Sequence, residues 1–232
     1  MNTQNCYLCG SNNHRQRPGR ARDDETIDIL ECNDCGLVFL SKVDHITDEH
    51  YAESGMHAGE LPDMQSWMNE TEVDDERRFS FLKEKLVNKS VIDFGCGTGG
   101  FIEKAQGLTK QIVGIEPDRA FQSSFLQRGL TIFESPSAAQ AEEKHWDIIT
   151  AFHVVEHLID PRKTISELSE LLNKGGELII EVPSANDALA VLYESKDFQN
   201  FTYWSQHLYL FTAATLSELA KQTGLKVAWI KQ

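Results

Sequence analysis

The chain has 232 residues, 41% of them hydrophobic, and a formal net charge of -14 at pH 7. Such a chain holds one doubly wound domain with a small appendage, and its composition is that of an ordinary soluble globular protein. A surface this acidic repels phosphate backbones, so a nucleic-acid partner is disfavoured unless a local basic patch overrides the average.

The first residues, MNTQNCYLCG, lack the basic, apolar and cleavage regions of a signal peptide, and no apolar run approaches the length of a membrane span. The expectation is a cytoplasmic protein without a membrane partner. Four of the five cysteines form two knuckles, Cys6-Tyr-Leu-Cys9-Gly10 and Cys32-Asn-Asp-Cys35-Gly36. Each puts two thiolates on one tight turn, and paired knuckles predict a tetrahedral Zn2+ held by Cys6, Cys9, Cys32 and Cys35. With four thiolates no coordination position stays open, so the metal is expected to be structural. Disulfides are disfavoured in a reducing compartment, and a redox CxxC needs a βαβ setting that is missing here.

Between the knuckles lie Arg15, Arg17, Arg20 and Arg22, followed at once by Asp23, Asp24 and Glu25. This reads as a solvated loop in preference to a phosphate-binding device. The zinc ribbon is expected over residues 1–42, closed by a β-like LVFL. Residues 43–72 show little periodicity and read as a connector, or equally as a lid.

The third segment, residues 73–232, carries a doubly wound pattern. A helix through DDERRFSFLKEKL leads to strand SVIDF and a short helix from Gly100. Strand QIVGIE, a helix stopped by Gly129, strand LTIFES and strand WDIITAF follow. Then come a helix opened by Asp160-Pro161, strand GELIIEVP after the Gly175-Gly176 turn, a helix capped by Thr212 and ended by Gly224, and a last strand LKVAWI. Strands alternating with amphipathic helices require an α/β fold with a parallel, Rossmann-like sheet, whose ligands sit beyond the strands' carboxyl ends. The chain stops at Gln232, directly after the sixth strand, so a seventh is expected to be missing and the sixth to be short, mobile or covered by a neighbouring molecule.

The sharpest signal is VIDFGCGTGG. Gly95, Gly97 and Gly100 satisfy the spacing of a dinucleotide fingerprint, with Gly99 in the same turn. Asp93 argues against a dinucleotide, because a carboxylate at the end of that strand repels a pyrophosphate. S-Adenosylmethionine brings an ammonium and a sulfonium, which an ionised Asp attracts. Glu116, about 20 residues beyond the glycines, stands where a carboxylate grips ribose hydroxyls. Asp93, Gly95, Gly97, Gly99 and Glu116 are therefore the expected cofactor-binding residues.

Two further stretches lie beyond strand ends: Phe152-His153-Val154-Val155-Glu156-His157 and Tyr203-Trp204-Ser205-Gln206-His207. WDIITAFHVVEHLIDP with LLNKGGELIIEVPS resembles the small-molecule, class I S-adenosylmethionine-dependent methyltransferases, including the ubiquinone-pathway O-methyltransferases. That resemblance covers roughly residues 88–228. The wider layout of knuckles, core and YWSQHLYLFT is similar to the nucleotide-sugar C-methyltransferases, whose corresponding segment reads approximately Tyr-His-Glu-His-Leu. Carried over, that family's catalytic histidines fall on His207 and His157, while Gln206 and Trp204 depart from its Glu and Tyr.

Methyl transfer needs a proton removed from the attacking acceptor, a task that suits a neutral imidazole. His207 and His157 are the expected catalytic residues. Phe152 and His153 are expected beside the cofactor, and Glu181 is a candidate second acid. Each also has a plain reading: local capping for the histidines, core packing for Phe152, Trp204 and Tyr209. The expected reaction is methyl transfer to a small hydroxylated or amino acceptor, a nucleotide-linked or glycan sugar first among them. An RNA methyltransferase with a zinc module and a non-catalytic cofactor-binding scaffold are the competing readings.

Overall fold

The computed structural model describes residues 5–53, 63–141 and 145–232. In chain order the elements are β1 (His14–Arg20), β2 (Asp28–Cys32), β3 (Val38–Leu40), α1 (Asp48–Ala52), α2 (Met64–Leu86), β4 (Ser90–Phe94), α3 (Gly100–Ala105) and β5 (Gln111–Ile115). Then come α4 (Gln122–Gln127), β6 (Ile132–Phe133), α5 (Pro136–Gln140), β7 (Trp146–Phe152), α6 (Pro161–Glu170), β8 (Leu172–Glu181), α7 (Ala188–Val191), α8 (Lys196–Thr202), β9 (Tyr209–Leu210) and α9 (Ala213–Gln222). Short 3-10 turns occupy Arg119–Phe121 and Val155–His157. Two compact units result: Met1–Ile46 with Val155–Ser166 and Val182–Gln232, and Thr47–Val154 with Glu167–Glu181.

In the first unit an antiparallel sheet runs in the order β1-β2-β3-β9. All three residues of β3 are buried, and β9 supplies its second hydrogen-bonding neighbour, pairing Val38 with Leu210 and Phe39 with Tyr209. The ribbon thus shares its unit with late-sequence residues. The Tyr7 hydroxyl donates to Asp160, the backbone N–H of Arg162 donates to the Tyr7 oxygen at 2.9 Å, and the side-chain amide of Gln222 donates to the Leu8 carbonyl at 3.1 Å.

Three of the four clustered arginines lie on a strand, and Arg22 alone lies in the bend that follows it. Arg15 and Arg17 lie on β1 and pair with Glu31 at 3.0 and 2.9 Å, and Arg20 pairs with Asp28 at 2.5 Å. Alternating basic residues on one strand meet acids on its neighbour, a cross-strand pairing that a view of the cluster in isolation hides. The Thr212 cap forms as expected, with a full capping box. Residues 225–230, expected as a sixth strand, form none. Val227 is 42% exposed and Ile230 56%, so the burial that would fix an apolar run as a strand is missing.

The second unit holds a parallel sheet in the order β6-β5-β4-β7-β8, the arrangement that the doubly wound pattern requires. Its central strand, β4, is buried along its whole length. Leu82, Leu86, Val91, Phe101, Ala105, Ile148 and Ile179 form one core cluster. Helix α2 begins at Met64, well before the expected Val73, because Asp63 caps it by accepting from the Ser66 N–H. Part of the expected connector is therefore helix; its residues 54–62 lie outside the described residues. The Gly175-Gly176 turn sits within β8, in an irregularity between the pairs Trp146–Leu172 and Ile148–Glu177.

Candidate active site

Between β4 and α3 the chain turns through Gly95, Gly97 and Gly99 at φ of 69°, 51° and 79°, a region that side chains disfavour. A Cβ on Gly95 would lie 2.4 Å from Val154 Cγ2, so this turn also requires the missing side chain for space. Cys96 packs its sulfur against Gly114 of β5, where a Cβ would approach it to 2.5 Å.

Two carboxylates flank the turn, Asp93 buried and Glu116 half-buried. Asp93 and Thr150 stand opposite one another on β4 and β7, and the Thr150 hydroxyl donates to Asp93 Oδ1 at 2.7 Å. Burial pushes the Asp93 carboxyl up to about 7; the Thr150 hydrogen bond opposes this and the nearby Asp75 adds to it. Glu116, just after β5, accepts from the Gly97 N–H at 2.9 Å and the Asp118 N–H at 3.1 Å. Burial pushes it also up to about 7.

This arrangement suits S-adenosylmethionine. Burial raises the pKa of both acids around one glycine turn, and a cationic ligand there would favour their charged forms. An anionic pyrophosphate would face the same two acids with no gain.

Asp75, Thr150, Arg77 and Arg78 were not singled out in the sequence. On α2, Asp75 is 7% exposed and Arg78 lies 3.7 Å from it, one helical turn away. The signal was available in DDERR, whose (i, i+3) spacing puts an acid and an arginine on one face. Glu181, at the end of β8, receives Arg77 and Arg78, each at 2.9 Å, and His153 Nε2 at 3.2 Å. Burial alone would raise its pKa, but hydrogen bonds from His153 and Arg77 and the charge of Arg78 hold it far below the usual carboxylate range. His153 has φ of 54°, and its backbone N–H donates to the Glu181 carbonyl at 2.8 Å. Phe152 stacks edge-on against Phe101 at 5.1 Å, with the Arg78 guanidinium 4.9 Å from its ring, so its role in packing is direct.

Within the other compact unit, the 3-10 turn at Val155–His157 and the segment after α8 bring Glu156, His157 and His207 together. One donor atom from each lies within 4.8 Å of the others. The His157 and His207 rings are 4.8 Å apart, and Trp204 meets both edge-on, at 5.9 and 5.5 Å. His157 Nδ1 bonds the Gln206 carbonyl at 2.8 Å and His207 Nδ1 the Thr202 carbonyl at 2.7 Å. A carbonyl only accepts, so both Nδ1 atoms carry the proton and the neutral rings have their lone pair on Nε2.

The same unit gathers Cys6, Cys9, Cys32 and Cys35, with sulfurs within 4.8 Å and the Cys6–Cys35 and Cys9–Cys32 pairs at 3.5 Å. Gly10 and Gly36, at φ of 75° and 81°, close the knuckles by donating to the Cys6 and Cys32 carbonyls. Four sulfurs at such separations fit one tetrahedral zinc, whose sulfur distances are about 2.3 Å. Burial pushes the Cys6 thiol up to about 11, a cost that a bound cation removes.

Comparison with known proteins places this geometry in context. The structure of magnesium protoporphyrin IX methyltransferase from Synechocystis PCC 6803 with bound SAH is similar over 78% of this chain and 89% of that one, with a TM-score of 0.55 at 16% identity, a likeness of fold. An uncharacterised methyltransferase of Bacillus cytotoxicus is 36% identical over 106 residues, covering 42% of this chain and 50% of the relative. A ubiquinone biosynthesis O-methyltransferase of Nitrosospira multiformis is 26% identical over 155 residues, covering 62% of this chain and 65% of the relative. The chain thus spans 50% to 65% of the length of these curated relatives. A family model described as a methyltransferase domain matches residues 64–228, from the first turn of α2 to beyond α9. That match covers more than half of the chain, and the chain belongs to the methyltransferase-domain family.

Proposed function

We propose that this chain transfers a methyl group from S-adenosylmethionine to a small hydroxylated or amino acceptor, a nucleotide-linked or glycan sugar in the first place. The observation that carries the reading is the pair of acids, buried Asp93 and half-buried Glu116, on either side of the positive-φ glycine turn. When bound, S-adenosylmethionine supplies an electrophilic methyl group on a sulfonium. Asp93, Gly95, Gly97 and Gly99 would hold its methionine part and Glu116 its ribose, with Phe152 and His153 beside the methionine end. His207 and His157 assist loss of the acceptor's proton, using the Nε2 side of each ring.

Zinc on Cys6, Cys9, Cys32 and Cys35 is structural in this reading and fixes the ribbon of residues 1–42. The segment between the ribbon and α2 connects or covers, and the methyltransferase core begins with α2 at Met64. The sugar assignment rests on the layout of ribbon, core and aromatic-histidine segment. Against an RNA acceptor stands the pairing of Arg15, Arg17 and Arg20 with acids of the ribbon itself.

Calorimetry tests the reading. S-Adenosylmethionine is expected to bind and NAD not to, and Glu116→Ala is expected to weaken binding by about 1.5 to 3 kcal/mol, the range for a hydrogen bond to a charged group. Binding of NAD alone would overturn it. Cofactor binding with no mass gain across a panel of nucleotide-sugar, glycan and amine acceptors would instead support a scaffold.

A further inference from the structure

We infer that Glu156, His157 and His207 form a second metal site, which binds a divalent first-row cation such as Zn2+ and leaves coordination positions open. The role given to that ion rests on the methyl-transfer reading above; the site itself does not.

Three observations carry the inference. Glu156 is 0% exposed, and a carboxylate so deeply buried requires a cation or a proton beside it. One donor atom from each of the three residues lies within 4.8 Å of the other two. The Glu156 Oε1 to His157 Nε2 separation is 4.0 Å, too long for a hydrogen bond and close to the ~3.4 Å edge between two ligands that each lie about 2.1 Å from a tetrahedral ion.

The second layer of contacts points the same way. Both imidazoles give their Nδ1 proton to a backbone carbonyl, Gln206 for His157 and Thr202 for His207. This is how metal-ligating histidines are oriented, because it fixes the tautomer and sets Nε2 as the donor. Trp204 packs against both rings and limits their rotation, while Arg22 lies 4.6 Å from the indole centroid on its own unit's surface. Two imidazoles and one carboxylate suit zinc, iron, cobalt or manganese and disfavour calcium or magnesium. Three protein donors with open positions make a reactive type of site, unlike the closed cysteine cluster. An acceptor hydroxyl bound there would lose its proton more readily, as metal-bound water does. The two histidines then assist proton loss through the ion rather than by taking the proton themselves.

The test is Co2+ titration of the full metal-free chain, read by absorption. The cysteine cluster is expected to give intense sulfur-to-cobalt bands, and a further equivalent to add weak visible bands without sulfur character, for a total of about two ions per chain. His207→Ala and Glu156→Gln are each expected to lower this to about one while keeping the sulfur bands. Nitrogen NMR of the unsubstituted protein avoids any folding defect: the second equivalent of Zn2+ is expected to shift Nε2 of His157 and His207. Saturation at a single equivalent, a second equivalent indifferent to both substitutions, or unshifted imidazole nitrogens would each overturn the site. S-Adenosylmethionine binding, measured on the same samples, reports separately on the methyl-transfer reading.

Discussion

Thr150 stands directly across from Asp93 in the parallel sheet and donates its hydroxyl proton to Asp93 Oδ1 at 2.7 Å, inside the sheet, with Thr150 0% exposed. This bond stabilises the ionised acid against a burial that otherwise favours its neutral form. The carboxylate is thereby held near the point of ionisation, where a ligand's charge decides its state.

A pH dependence follows. Asp93 and Glu116 are both pushed up to about 7, so at pH 6 most of each is protonated and at pH 8 most is charged. S-Adenosylmethionine is expected to bind more tightly at pH 8 than at pH 6 and to release protons on binding, measurable by calorimetry in buffers of different ionisation enthalpy. For the ligand-free protein the sign is opposite. A carboxyl raised in the folded state binds more protons than its unfolded counterpart between about pH 4 and 7, so its contribution to stability falls as pH rises through that window. Cofactor affinity unchanged from pH 6 to 8 would show that neither acid meets the ligand's charge.

The glycine turn offers a test of geometry. Gly95→Ala would force an alanine to φ of 69° and put its Cβ 2.4 Å from Val154 Cγ2. Backbone strain of this kind costs about 1 to 3 kcal/mol, and the clash adds to it. The substitution is expected to lower the melting temperature and to weaken cofactor binding together. Gly107→Ala, where no atom lies within 4 Å and φ is not positive, is expected to leave both nearly unchanged.

Much of this arrangement was legible in the sequence, and the missed pairings share a cause. The run SVIDFGCGTGG fixes its own local structure: an apolar strand, then a turn only glycines can make, so β4, the turn and Asp93 fall where expected. WDIITAF likewise forms β7 from Trp146 to Phe152. What was missed depends on residues far apart in the chain. Glu181 is met by Arg77 and Arg78 across about a hundred positions, and β9 adds to a sheet whose other strands lie near the amino terminus. No local pattern encodes such pairings. Residues 225–230 failed in the opposite sense: the local pattern suited a strand, but pattern without burial does not make one. The early start of α2 was readable, because Asp63 is a good N-cap residue, yet the acidic, weakly periodic stretch after it masked the signal.

The Cys6, Cys9, Cys32 and Cys35 cluster predicts separable folding. The unit that holds these cysteines is distinct from the one that holds the parallel sheet, whose core has its own buried cluster of Leu82, Val91, Phe101 and Ile148. A strong chelator is therefore expected to expose the four thiols to titration and to raise amide exchange over β1 to β3, while amides of β4, β5 and β7 stay protected. Metal analysis that finds no zinc, with thiols already reactive in the native protein, would refute the assignment.

The histidine pair yields the last prediction. His207→Ala removes a ring whose Nδ1 is tied to Thr202 and whose centroid lies 4.8 Å from that of His157. If the pair assists proton loss only as the acceptor attacks, turnover is expected to fall about 10²-fold or more while the dissociation constant for S-adenosylmethionine stays the same. His157→Ala is expected to cost a similar factor. The double substitution is expected to cost little more than either alone, because residues that act as one unit are not additive. A purely structural role gives a different pattern: lower thermal stability, additive losses, and turnover restored by cooling. Full turnover in His207→Ala at an unchanged KM would remove the pair from the reaction and leave Glu181 and His153, at the end of β8 and just after β7, as the next groups to test.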